Sequence, residues 1–145
     1  MAVRWLNSAN RDKLESQFEY DVNKLLHNSW YFWNVVYGYR SLELQKQLYV
    51  KYVNGGPLAA PPGKSAHNYG LAVDVQLVRF EYDLTNNKII QKLDWNTKND
   101  AWQWLFKEIA KHPRLRSGIH FNDAPHIERY KWREHVTDYN PSPIV

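Results

Sequence analysis

Asp74 lies inside the run LAVDVQLV, and a carboxylate in an otherwise apolar strand constrains this chain more than any other feature. Leu71, Val73, Val75 and Leu77 alternate with Ala72, Asp74, Gln76 and Val78 at the two-residue period of a strand, which predicts a strand over Leu71–Phe80. An acidic side chain there needs a partner to offset its lost hydration. The preceding residues, KSAHNYG, place His67 on a turn in which Asn68 and Gly70 tolerate the positive φ of a reversal. A strand beginning beside a tight turn can point Asp74 back toward His67, which is half of a metal site. The segment IHFNDAPHIER offers the other half, with His126 as a second imidazole and Asp123 as a proton-transfer group.

A chain of 145 residues, 43% hydrophobic and 15% aromatic, has room for one globular domain with a real core, and a single domain is expected over 1–145. The 7 Trp and 10 Tyr serve either as core and rim packing or as the lining of a site for sugars and peptides. There is no cysteine, so disulfide scaffolds and thiolate metal sites are excluded and any transition metal relies on His and carboxylate. A net charge of +4 suits polyanions, yet the basic residues are spread from Arg4 to Arg133, without a zinc-finger spacing or an RNA-binding signature. No nucleic-acid partner is expected. The first residues, MAVRWLNSANRDKLE, lack the apolar core of a secretory signal, and no apolar run approaches the ~20 residues that span a bilayer. The expectation is a monomer made in the cytoplasm without stable membrane insertion, reaching any target outside only after release.

Along the chain, caps at Asn7–Asn10 and apolar residues Leu14, Phe18, Val22, Leu25 and Leu26 predict a helix over 9–27. WYFWNVVYGY, Trp30–Tyr39, reads as a strand ending at Gly38, with Arg40 immediately after it. Ser41 caps a second helix in which Leu44, Leu48 and Tyr52 form the apolar stripe and Gln45 lies elsewhere on the surface. GGPLAAPPGKS is a Pro and Gly loop long enough to be a shaped site wall, with a plain surface loop as the alternative. DLTNNKII predicts a hairpin around Asn86 and Asn87. Thr97 is read as the cap of a third helix with Trp102, Leu105, Phe106 and Ile109 on its apolar face, ending near Pro113. Gly118–Phe121 and Pro125–Ile127 are short strand candidates, and an irregular tail is expected over 136–145.

Catalytic zinc takes three protein ligands and keeps a fourth position for water, and His67, Asp74 and His126 meet that count. Asp123, three residues before His126, can stand beside the water as general base across a turn stiffened by Pro125. Arg40 is the best-placed cation for the oxyanion formed when water attacks a carbonyl. Each residue alone has a plainer reading: the histidines as hydrogen-bonded surface residues, Asp123 as a turn residue, Arg40 as a salt-bridge partner. His120 lies close enough to DAPH to touch substrate or support a ligand.

The segments GYRSLELQKQLY, PPGKSAHNYGLAVDV and DAPHIE, spanning residues 38–128, together resemble the D-alanyl-D-alanine carboxypeptidase and L-alanyl-D-glutamate endopeptidase family of zinc peptidases, which includes VanY-like enzymes and many phage endolysins. The resemblance implies a small α+β domain, with a central antiparallel sheet carrying the metal and helices packed on one side. It implies Zn2+ on His67, Asp74 and His126, Asp123 as the base that later protonates the leaving amine, and Arg40 polarising the scissile carbonyl. Gln45 and Ser65 match positions that hold substrate. Carboxypeptidase relatives carry Glu three residues before the last histidine and Trp just ahead of it, whereas this chain has Asp123 and Pro125. That departure points to the endopeptidase branch. RLRSGIHFN replaces the Gly and Trp-rich stretch of that branch, which leaves the subsites near His120 open. The expected activity is hydrolysis of peptidoglycan stem peptides at the L-alanyl-D-glutamate bond, in a phage endolysin. A D-alanyl-D-alanine carboxypeptidase, or a non-catalytic zinc-containing binding domain on the same scaffold, are the alternatives.

Overall fold

The structure is a computed structural model that describes residues 2–138. Its elements run in the order β1 (Ala2–Trp5), α1 (Ser16–His27), β2 (Phe32–Tyr37), α2 (Leu42–Val53), β3 (Ala72–Asp83), β4 (Lys88–Leu93), α3 (Asp100–Lys111), β5 (Leu115–Ser117) and β6 (His126–Arg129), joined by short 3-10 turns. The six strands form one sheet ordered β1-β2-β3-β6-β5, with β4 paired to β3. All pairings are antiparallel except that of β1 with β2, so the sheet is mixed rather than purely antiparallel.

The long strand β3 divides the labour of the sheet. Its first half pairs β2 on one side and β6 on the other, while residues 78–83 pair β4 in a hairpin closed at Asn87, whose φ is 52°. Val73, Val75 and Leu77 turn to the helical side and join Phe18, Val22 and Leu26 of α1 and Trp102, Leu105 and Ile109 of α3 in the core. Trp33 and Trp102 meet edge to face at 5.1 Å in that layer. Asp74 and Gln76, by the same alternation, turn to the other face. Phe32, Phe80 and Tyr82 are exposed, so the aromatics divide between core and surface.

Several local expectations change. The helix predicted over 9–27 begins at Ser16, because Asn10 takes a left-handed conformation between two 3-10 turns and Leu14 is extended; the Glu15 carboxylate then caps α1 through the amides of Gln17 and Phe18. Asn99, not Thr97, caps α3 by accepting from the Trp102 amide. Gly118–Phe121 is a 3-10 turn rather than a strand, begun by the Ser117 hydroxyl accepting from the Ile119 amide. In α2 the expected stripe is inverted: Leu44 and Tyr52 are exposed and Gln45 is the buried residue. Val136–Asp138 of the expected tail close a 3-10 helix that begins at Trp132; residues 139–145 lie outside the described residues.

Candidate metal centre

The register of β3 with β6 sets Asp74 directly opposite His126, and opposite partners in a sheet point to the same face. His67 reaches that face from the 3-10 turn Ala66–Tyr69, which Ser65 starts by accepting from the His67 amide at 3.3 Å and Gly70 ends at φ 66°. Asn68 takes no positive φ; the reversal falls on Gly70 alone. The ligand atoms of His67, Asp74 and His126 all lie within 4.8 Å of one another. His67 Nε2 is 3.5 Å from one Asp74 oxygen and His126 Nδ1 is 3.4 Å from the other.

Each imidazole has its second nitrogen occupied. His67 Nδ1 lies 2.8 Å from the Gly38 carbonyl oxygen, which can only accept, so Nδ1 carries a hydrogen and Nε2 is the nitrogen turned to Asp74. His126 Nε2 lies 2.8 Å from Glu128 Oε1. Burial works against the charge of His126, but the neighbouring carboxylates of Asp74 and Glu128 outweigh it and push the group up to about 9. Burial likewise opposes the Asp74 carboxylate, and the two histidines hold it well below the usual range. Asp74 Oδ1 is nevertheless buried without a hydrogen-bond partner. A carboxylate set between two imidazole nitrogens, with one of its oxygens buried and making no hydrogen bond, fits a divalent ion, and a set of two nitrogens and one oxygen suits zinc.

Asp123 and Arg40 stand at this cluster. Asp123 Oδ2 is 3.9 Å from His126 Nδ1, and partial burial and the charge of Asp74 raise its carboxyl above the ordinary value against the pull of His126, His67 and Arg40. The turn that presents it is tight: the Asp123 amide donates to the Gly118 carbonyl, and a Cβ at Gly118 would lie 2.1 Å from the Asp123 carbonyl oxygen and 2.7 Å from His126 Cβ. Only glycine fits there. Burial lowers the Arg40 guanidinium while the charges of Asp74, Tyr37 and Asp123 draw it back, so it stays a cation within the field of the two carboxylates.

Gln45 accepts from Arg40 Nη1 at 3.1 Å and donates to the Ala60 carbonyl at 2.7 Å, tying the cation to the Pro and Gly loop. Asn68 donates to the Arg40 carbonyl and accepts from the Gly63 amide, and Tyr69 donates to the Gly63 carbonyl. The loop is therefore a pinned wall. His120 lies exposed on the 3-10 turn, and its neighbour Phe121 is the one packed on His126, at 5.4 Å between ring centroids. The sequence marked Asn68 only as a turn residue and Gly38 only as a strand end, and it did not single out Glu128. The signal for Glu128 was available, since it follows His126 by one strand period.

The VanY, D-alanyl-D-alanine carboxypeptidase, family model matches residues 12–117. No curated protein is significantly similar in sequence. Among solved structures, the Serratia marcescens L-Ala D-Glu endopeptidase ChiX superposes with a TM-score of 0.59 at 15% identity, covering 91% of this chain and 93% of that one, which is a likeness of fold. VanYB in complex with D-alanine-D-alanine gives 0.48 at 18% identity over 84% of this chain and 74% of that one. A Streptococcus pneumoniae L,D-carboxypeptidase, DacB, gives 0.47 at 23% identity over 88% and 74%. The family match ends before Asp123 and His126, and it is the pairing of β3 with β6 that brings these two residues to the matched His67 and Asp74. With the greater part of its length matched, the chain belongs to the VanY D-alanyl-D-alanine carboxypeptidase family.

Proposed function

We propose that this chain is a zinc-dependent peptidoglycan peptidase that cuts the L-alanyl-D-glutamate bond of stem peptides. The convergence of His67, Asp74 and His126 within 4.8 Å, with Asp123 beside His126 and the Arg40 charge coupled to both carboxylates, carries this reading. Asp123 in place of Glu, followed by Pro125, favours the endopeptidase branch, and a role as a phage endolysin follows from the resemblance to that branch.

Zinc on the three ligands would act as a Lewis acid and supply a water whose pKa falls to ~7. Asp123 would take one proton from the attacking water as the water oxygen bonds to the scissile carbonyl carbon, and return it to the amine nitrogen as the C–N bond breaks. A carboxyl held above its ordinary pKa suits both halves of that exchange. Arg40, fixed by Gln45, meets the charge that develops on the carbonyl oxygen. The Ser65 hydroxyl accepts from its own turn and keeps its hydrogen to donate to a substrate carbonyl, with His120 at the rim.

The family description favours a second reading, release of terminal D-alanine. Digestion of defined wall fragments separates the two. New amino-terminal glutamate supports the endopeptidase; free D-alanine with no new amino terminus on the stem supports the carboxypeptidase; zinc uptake with neither product leaves the binding-domain reading.

A further inference from the structure

Glu128 follows His126 by two residues on β6, so both side chains stand on the face that carries Asp74. It is 7% exposed, a depth at which a carboxylate needs a firm partner. Its cross-strand neighbours are Ala72, which offers no polar side chain, and Arg116, whose guanidinium lies over the Phe121 ring at 5.3 Å. The partner it has is His126, with Nε2 2.8 Å from Oε1. The other ring nitrogen, Nδ1, faces Asp74 and Asp123 at 3.4 and 3.9 Å.

We infer that Glu128 is a positioning residue that fixes His126 as a metal ligand through Nδ1, by holding the hydrogen on Nε2. The two imidazoles are thereby set in opposite senses. His67 gives Nδ1–H to the neutral Gly38 carbonyl and offers Nε2, whereas His126 gives Nε2–H to a carboxylate and offers Nδ1. A carboxylate behind the ring also raises the basicity of the ligating nitrogen, which a carbonyl does more weakly. The site would thus draw more of its grip from the His126 side. This inference rests on the zinc reading proposed above.

The test is zinc affinity, read by competition with a chromogenic chelator, in the wild type, Glu128→Gln and Glu128→Ala, alongside the nitrogen NMR shifts of the zinc-loaded wild type. Expected are zinc on Nδ1 and hydrogen on Nε2 of His126, affinity weakened about 10- to 100-fold in Glu128→Ala, and a smaller loss in Glu128→Gln, whose amide oxygen still accepts. Thermal melts of the metal-free variants control for folding. Glu128→Ala within twofold of wild type, or zinc found on Nε2, would overturn the inference. Should the alanine variant not fold, Glu128→Gln and the wild-type shifts decide. A wild type that binds zinc and cuts wall while Glu128 proves neutral sinks this inference alone; a wild type that takes up no zinc sinks the metal site with it.

Discussion

The ring of His67 is tied to the backbone of Gly38 by a 2.8 Å hydrogen bond, and the same two segments are joined again by the Arg40 amide donating to the His67 carbonyl and Asn68 Nδ2 donating to the Arg40 carbonyl. One clamp therefore orients a metal ligand and anchors the backbone of the site's cation. Gly38 allows this because a Cβ there would lie 2.1 Å from the Ala9 carbonyl oxygen and 3.3 Å from Leu14. Gly38→Ala is expected to displace the end of β2, costing about 1–3 kcal/mol of stability. It should also weaken zinc roughly 10- to 100-fold, as loss of a partner behind a ligating histidine does. Urea unfolding and chelator competition on the same preparation measure the two effects.

Asp123 is half exposed, faces the ligand cluster and donates no ligand atom to the close trio of His67, Asp74 and His126. Asp123→Asn keeps the size and the turn but removes the proton acceptor. Turnover on wall fragments should fall about 10²- to 10⁴-fold while zinc content stays at wild-type level. His126→Ala, by contrast, should lose the metal itself. Retention of near-normal turnover by Asp123→Asn would exclude it as the base.

What the sequence disclosed tracks how local the cause was. Alternation around Asp74 and the apolar face of α3 depend on neighbours along the chain, and both elements lie where periodicity puts them. The four-residue strand β1 escaped, because it exists through parallel pairing with β2 thirty residues on, and no local pattern reports that. Gln45 was misplaced for a different reason. Periodicity ranks residues by apolarity, whereas this helix buries a side chain whose amide is satisfied at both ends, by Arg40 and by the Ala60 carbonyl. The 3-10 turn at Gly118 depends on the missing Cβ under Asp123, a contact visible only once the turn is folded. Of the site residues, His67, Asp74, His126, Asp123 and Arg40 were legible as types, and their convergence required the sheet register.

Burial disfavours a charged His126, yet Asp74 and Glu128 together raise it to about 9, so at neutral pH the metal-free site holds a proton where zinc must bind. Zinc uptake should release that proton, and affinity should fall as pH drops below about 9. Calorimetry in buffers of differing ionisation heat counts the protons. The sign for stability follows from the same group: its folded pKa lies above the unfolded value of about 6.5, so its contribution is complete below about 6.5 and disappears as pH rises through about 9. Metal-free protein should therefore melt lower at pH 10 than at pH 6.5, and a melting point insensitive to that change would contradict the arrangement.

On the helical side, Asp21 of α1 is 3% exposed and receives Arg114 through Nε at 2.8 Å and Nη2 at 2.9 Å, with Gln17 donating at 3.1 Å. Burial works against this carboxylate, but those hydrogen bonds and the Arg114 charge prevail and lower its pKa. Arg114→Ala leaves a buried carboxylate without its cation, and a loss of about 3 kcal/mol is expected in urea unfolding at pH 7. Because the folded pKa is depressed, the pair stabilises fully above the unfolded value of about 3.9 and fades as pH falls through the folded one. The difference between wild type and Arg114→Ala should accordingly be large at pH 7 and shrink toward pH 2. Zinc affinity should be unchanged, since Asp21 and Arg114 are no part of the ligand cluster. A variant that lost metal affinity along with stability would instead show that the two faces of the sheet are coupled.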